Sequence, residues 1–362
     1  MSDYYISGVA ASDRRGQAQV DRLLQAEGIR RDANLEYTCA MYDDDMQVIA
    51  TGSCFQNTLR CMAVSSAHQG EGLMNEIVTH LINYEFEHGR YHLFLYTKCD
   101  SARFFGDLGF SEIVRIEDRI VFMENRRTGF SDYLRKLQAE SESMSAITAG
   151  GPSAVGPSAA IVMNANPFTL GHLYLVEKAC AENAVVHLFM VSEDASLVPF
   201  AVRRRLIKEG TAHLSNIIYH ESGPYVISSA TFPSYFQKDE TAVIESHAWL
   251  DLRVFVRIAQ ALGIQTRYVG EEPASLVTGI YNRIMKEELP KAGIGCVVVP
   301  RKAVPDASGA PISASTVRQL LKKGDFDALR SLVPETTLRW FMSEEAAPVL
   351  ARIRAEQNVV HY

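Results

Sequence analysis

From residue 160 onward, short apolar runs alternate with helical stretches, and this alternation constrains the fold more than any other feature of the chain. Strand-like runs stand at 160–163, 185–191 and 217–220, then as "TRYVG" ending at Gly270 and "CVVVP" ending at Pro300. Helical patterns fill the intervals up to 183, over 201–214, around 249–262 and over 281–289. A strand that is apolar at successive positions is buried on both faces, so helices must cover both sides of the sheet. Strands separated by helices in this rhythm form a parallel sheet of βαβ units. Such sheets bind ligands beyond the carboxyl ends of their strands, so the loops there are where chemistry is expected.

A different pattern precedes this region. Runs such as "LEYTCAMY", "QVIATGSCF", "TLRCMAV", "YHLFLYT" and "RIVFMEN" surround helical stretches at 75–88 and 101–108. Between the two patterns, residues 141–159 are rich in Ser, Gly, Ala and Pro, a composition that buries too little apolar surface to offset chain entropy. We read residues 1–130 as one domain, 131–158 as a linker, 159–342 as a second domain and 343–362 as an exposed helical tail. Within the linker, "GPSAVGPS" has the glycine spacing of a phosphate loop, but Pro157 stands where the lysine belongs and no strand precedes it. A linker of no fixed chemistry is the simpler reading.

The net charge of −7 argues against nucleic acid as a partner, since that requires a basic face. Six cysteines with no CxxC pairing, no long apolar span and a polar first segment "MSDYYISGVAASDRR" together lead us to expect a cytoplasmic, non-membrane protein. Any phosphate ligand must then be met by local donors.

The run at 160–163 leads into "NANPFTLGH", containing Asn164, Asn166, Pro167, Phe168, Thr169, Gly171 and His172. The N–H groups of a helix's first turn lack intrahelical partners and carry partial positive charge, which favours phosphate. Gly171 removes a side chain from that approach, Thr169 offers a hydroxyl, and His172 offers a donor that is stronger when charged. A capped helix with a solvated histidine explains the same residues without chemistry. A second element, "ISASTVRQLL", supplies Ser313, Ser315 and Arg318, which suit either a triphosphate or simple N-capping.

Together these elements resemble the nucleotidyltransferase superfamily, whose hallmarks are an (H/T)xGH loop and an ISx(S/T)xxR segment. The ordered series "NANPFTLGHLYLVEKA", "SSATFPSYF", "GEEP", "YNRIM" and "PISASTVRQLL" is similar to the citrate lyase ligase family. That resemblance implies an α/β protein whose second domain is a Rossmann-like parallel nucleotidyltransferase of the HxGH type. It further implies ATP, carried with Mg²⁺, as a substrate. Acetate would attack the α-phosphate to give acetyl adenylate and pyrophosphate. The acetyl group would then pass to the thiol of a coenzyme-A-like arm on the acyl carrier subunit of citrate lyase. His172, Thr169 and Arg318 are the implied catalytic residues. Asn164, Asn166, Pro167, Phe168, Gly171, Ser313 and Ser315, with Gly270 and Glu271 near the adenosine, are the implied ATP contacts, and no protein-held metal is expected.

The first domain resembles the GNAT acetyltransferases, which bind acyl-coenzyme A. The resemblance rests on Gln69-Gly70-Glu71-Gly72-Leu73-Met74 and on Gly109-Phe110 downstream. Gln69, Gly70 and Gly72 would cradle the pyrophosphate of the arm, with Met74 crowding the helix start. Phe105 stands where many members carry a tyrosine acid, so independent acetyl transfer to an amine is not expected.

Other polar groups carry less. Arg203, Arg204, Arg205 and Lys208 read as a solvated helix face, Asn282 and Arg283 as further acetate or phosphate contacts, and His187, His213, His220 and His247 as structural. The i,i+4 pair His88 and His92 lacks the glutamate of a zinc helix. Two alternatives to the ligase remain: a cofactor-forming adenylyltransferase with the same motifs, and a non-catalytic acyl-coenzyme-A sensor.

Overall fold

The computed structural model describes residues 4–148, 156–194, 196–226, 240–271, 276–303 and 311–356. The chain divides into two compact units: Met1–Phe130 with Phe232–Arg253, and Ser131–Thr231 with Val254–Tyr362. The clustering of residues 240–253 with the first unit was not anticipated from sequence.

The first unit is a mixed sheet packed on helices. Its elements are β1 (Tyr5–Gly8), α1 (Arg14–Ala26), β2 (Tyr37–Tyr42), β3 (Val48–Phe55), β4 (Thr58–Val64), α2 (Leu73–Glu87), β5 (Phe94–Thr97), α3 (Ala102–Asp107), β6 (Ser111–Ile116) and β7 (Ile120–Glu124). The strands lie in the order β1-β2-β3-β4-β5-β7-β6. Only the β4–β5 pair is parallel, and its pairing stops after Thr58↔Phe94 and Leu59↔Leu95, although β4 continues to Val64. Leu73, Ile77 and Leu81 of α2 fill the core against Cys39, Ala50 and Leu59 of the sheet.

The second unit contains α4 (Gly129–Thr148), β8 (Ser158–Met163), α5 (Leu170–Glu182), β9 (Val185–Met190), α6 (Phe200–Gly210), β10 (Ile217–Glu221), α7 (Glu240–Leu262), β11 (Thr266–Gly270), α8 (Leu276–Glu288), β12 (Gly295–Val299), α9 (Ala314–Lys323), α10 (Phe326–Leu329), α11 (Glu335–Phe341) and α12 (Ala347–Ala355); α4 opens two residues before this unit, and the first part of α7 clusters with the other. Five strands, all parallel, stand in the order β10-β9-β8-β11-β12. The order reverses between β8 and β11, which is where a ligand crevice opens in such a sheet.

Two sequence expectations are corrected. Residues 131–148, read as linker, are helical: α4 buries Tyr133 and Leu137 on one face and pairs Lys136 with Glu140 at i,i+4. The tail is helical but not simply exposed, because Val349 and Ile353 of α12 join the core with Leu321 of α9. The "SSATFPSYF" segment, 228–236, lies outside the described residues.

Candidate active site

β8 runs beside β9 as far as Met163↔Met190, and the chain then enters the loop that starts α5. Thr169 caps that helix: its hydroxyl accepts the His172 N–H at 3.3 Å, and His172 Nδ1 in turn accepts the Thr169 N–H at 3.1 Å. A backbone N–H can only donate, so Nδ1 holds a lone pair and the ring proton is assigned to Nε2. Burial, then the charge of nearby Arg301, holds the His172 pKa down at about 4. His172 is therefore a neutral Nε2–H donor at physiological pH, and the stronger, charged form of that donor belongs to acid.

The rest of the helix start is occupied. Leu170 N donates to Leu332 O at 2.9 Å and Leu173 N to Thr169 O at 3.0 Å. This leaves the Gly171 N–H without a partner among the described residues. Gly171 also has a structural reason beside the one anticipated. A Cβ there would lie 3.2 Å from the carbonyl oxygen of Ile312, so the missing side chain makes room for the second motif.

Arg318 joins the same two segments. Its Nη1 donates to Asn166 O at 2.6 Å and its Nη2 to Ser315 Oγ at 3.2 Å, with the side chain 5% exposed. Ser313 caps α9 by accepting the Thr316 N–H at 3.0 Å. Capping and convergence are both realised: the serines cap or brace, and the motifs they belong to meet at Gly171, Ile312 and Asn166.

The asparagines and Phe168 turn inward. Asn164 donates through Nδ2 to Ser196 Oγ at 3.0 Å, and its Oδ1 accepts from Arg203 at 2.7 Å. Asn166 Oδ1 accepts the Val198 N–H at 3.0 Å, while its Nδ2 has no partner among the described residues. Pro167 is buried. Phe168 is fully buried and stacks behind His172 at 5.9 Å, so its ring belongs to the core and backs the imidazole.

Arg203 is also corrected. It is 1% exposed rather than solvated, and it donates to Val198 O, Asn164 O, Asn164 Oδ1, Val191 O and Glu193 O. It ties the ends of β8 and β9 to α6. Arg204 and Arg205 do face outward, paired with Glu221 and Glu345.

On the other flank, Gly270 ends β11 and its carbonyl accepts from Asn282 Nδ2 at 3.2 Å. Asn282 Oδ1 is buried without a hydrogen-bond partner among the described residues. Arg301, which sequence reasoning missed, donates to Glu271 O at 2.8 Å and to Ile312 O at 3.5 Å. It places a cation beside His172 and braces the Glu271 loop against the second motif. The available signal was a charge immediately past the apolar "CVVVP" strand, at the sheet edge where ligands bind.

In the first unit, Gly70 and Gly72 have φ of 89° and 81°, left-handed values that favour glycine. Gly72 is the N-cap of α2, no side chain caps that helix, and the Leu73 and Met74 N–H groups have no partner among the described residues. Met74 packs on the core rather than crowding the loop. Phe105 is buried, edge-on to Phe104 and Phe110, and supplies no hydroxyl.

The histidines set aside earlier have local partners. His88 Nδ1 meets Tyr84 O at 2.7 Å and His92 Nε2 meets Glu124 at 2.6 Å. His187 and His220 are buried and bonded at 2.9 Å, and His220 continues to Glu140 at 2.7 Å.

Comparison with known proteins places each of the two regions in a family. Residues 158–341 match the family model described as the citrate lyase ligase C-terminal domain, and residues 7–110 match the GNAT acetyltransferase family. The chain is 36% identical to a [citrate [pro-3S]-lyase] ligase of Haemophilus influenzae over 91% of its own length and 96% of the relative's. Proteins of the same name from Klebsiella pneumoniae and Escherichia coli are 36% and 35% identical, over 91% and 92% of this chain and 94% and 93% of theirs.

Proposed function

This chain belongs to the citrate lyase ligase family, and on that premise we propose that it activates acetate with ATP and acetylates the thiol of a coenzyme-A-like arm on the citrate lyase acyl carrier subunit. The observation that carries this reading is the convergence of the two motifs, with Gly171 against Ile312 and Arg318 bonded to Asn166. The open Gly171 N–H, the Asn166 amide, the His172 Nε2–H and the Arg301 charge belong to these joined segments.

The chemistry follows from the charges. Acetate is already anionic, so the first step needs alignment and charge stabilisation rather than a base. A carboxylate oxygen bonds to the α-phosphorus, and the bond from that phosphorus to the bridging oxygen breaks. Pyrophosphate leaves with the extra charge. Gly171 N–H and His172 Nε2–H donate to the phosphate oxygens on which charge grows. Arg301 supplies a fixed cation, while Arg318 holds the two motifs in register. ATP enters as its magnesium complex. Adenosine belongs at the switch point between β8 and β11, near Gly270, Glu271 and Asn282.

In the second step the thiol attacks the acetyl carbonyl and AMP departs. The Gln69–Gly72 loop, with its uncapped helix start and the parting of β4 from β5, suits the pyrophosphate and pantetheine portions of the arm. The first unit would hold the arm and the second would make the adenylate.

Acetate-dependent exchange of labelled pyrophosphate into ATP tests the reading. Exchange should require acetate, and His172→Ala should lower it by roughly 10²–10³-fold. Exchange driven instead by a phosphorylated co-substrate would replace the ligase with a cofactor-forming adenylyltransferase.

A further inference from the structure

On the β9 side of the site, one acidic side chain has no function in the account so far. Beyond Met190, Val191 N donates to Met163 O at 3.1 Å, so the chain stays beside β8 for one more residue. Arg203 then fixes the backbone by donating to the carbonyls of Val191 and Glu193 and to both oxygens of Asn164. Glu193 is thereby held against the loop that leads to His172. Its two carboxylate oxygens are both buried, and among the described residues neither accepts a hydrogen bond. Its neighbour Asp194, in contrast, accepts the Phe200 N–H at 2.6 Å and has a plain structural use. The Arg203 charge lies near it but gives its hydrogen bonds to carbonyls, and a buried carboxylate without a hydrogen-bond donor is costly, so its place at a ligand-binding edge asks for a donor from outside the protein.

The reaction proposed above, on which this inference rests, moves one proton. Acetate and ATP bring none that must be removed, and a buried carboxylate would repel both. The thiol of the arm does carry one. We infer that Glu193 is the general base of the acetyl-transfer step. As the sulfur bonds to the acetyl carbon, its proton passes to a Glu193 carboxylate oxygen. The bond from that carbon to the phosphate oxygen breaks, and AMP leaves as the anion. A carboxylate is too weak to strip a free thiol, whose reference pKa is about 8.5, so transfer occurs only as the new bond acidifies the sulfur. The sheet order supports this division: the nucleotide crevice lies between β8 and β11, and Glu193 follows β9 on the opposite side of β8. A metal-ligand role fits less well. Among the described residues no three His, Cys, Asp or Glu side chains cluster to hold an ion, and the nearby Arg203 charge opposes one.

Glu193→Gln keeps the shape and removes the base. The two half-reactions are measured separately on the full chain: acetate-dependent pyrophosphate exchange, and transfer from synthetic acetyl adenylate to coenzyme A as the thiol probe. The loss is expected in transfer alone, about 10²-fold at neutral pH, and it should shrink as pH rises toward the thiol's own pKa, where thiolate forms unaided. Normal exchange in the same sample reports an intact fold. Transfer that survives the substitution, or exchange lost in parallel with it, overturns the inference while leaving the ligase reading in place. No acetate-dependent exchange in the unsubstituted protein overturns both.

Discussion

One ring nitrogen of His172 is already engaged within the chain. Because Nδ1 accepts the Thr169 N–H, protonating it would break the cap, and burial, then Arg301, independently holds the pKa down at about 4. The pyrophosphate exchange rate should therefore show no inflection near pH 6.5 from this histidine. Arg301→Gln removes a positive neighbour, which favours the charged imidazole, so the His172 pKa should rise from about 4 toward the ordinary 6.5. Ring NMR titration of the two proteins checks this, and an unmoved pKa would remove Arg301 from the site's electrostatics. At this scale the sequence was partly legible. Thr169, Gly171, His172 and Arg318 stand in recognisable spacing, although Gly171 serves Ile312 and Arg318 serves Asn166. Arg301 and Glu193 had no motif to announce them. Their roles arise from which strand ends lie side by side, and that is a property of the sheet order.

Among the elements, the ends of β8 and β9 are held by a buried arginine on α6. Replacing Arg203 with Met leaves at least four carbonyl oxygens without their donor, among them Asn164 O, Val191 O and Val198 O. At about 1–3 kcal/mol for each buried unpaired group, partly offset by entering water, the loss should exceed about 3 kcal/mol. A lower urea midpoint checks it, and an unchanged one would return Arg203 to the solvated role first assigned. The strand and helix rhythm of the second unit was readable because apolar runs and turns recur along it. α4 was not, since Ser and Glu near its end resemble linker composition while its buried face rests on only a few residues such as Tyr133 and Leu137. Composition reports the average of a segment. A helix needs only one apolar stripe.

Over the whole molecule, acid acts differently on the two units. His187, buried and next to His220, has its pKa pushed down to about 3, and His172 sits at about 4, against 6.5 for each in an unfolded chain. The unfolded state binds protons first, so their stabilisation is complete above about pH 6.5 and drains away as pH falls toward 4 and then 3. Glu140 acts in the same direction. Burial alone would raise its pKa, but the bond and charge of His220, with Lys136, lower it, so its contribution also fades in acid. In the first unit Glu85 has the opposite sign: burial raises its pKa despite Arg90, and protonation in the acid range favours the folded form. In the first unit His80, its pKa lowered by burial, and Glu85 act in opposite directions, so the second unit, with two strongly depressed histidines, should lose more melting temperature than the first on going from pH 7 to pH 5. Scanning calorimetry would show this as two transitions drawing apart. His187→Asn removes the most depressed of these groups and should flatten the pH dependence of the second unit, at about 1.4 kcal/mol for each pH unit over which His187 alone would have bound a proton only on unfolding. A slope that is the same with and without His187 would mean that His187 does not carry the acid sensitivity, which then lies in His172 and its cap instead.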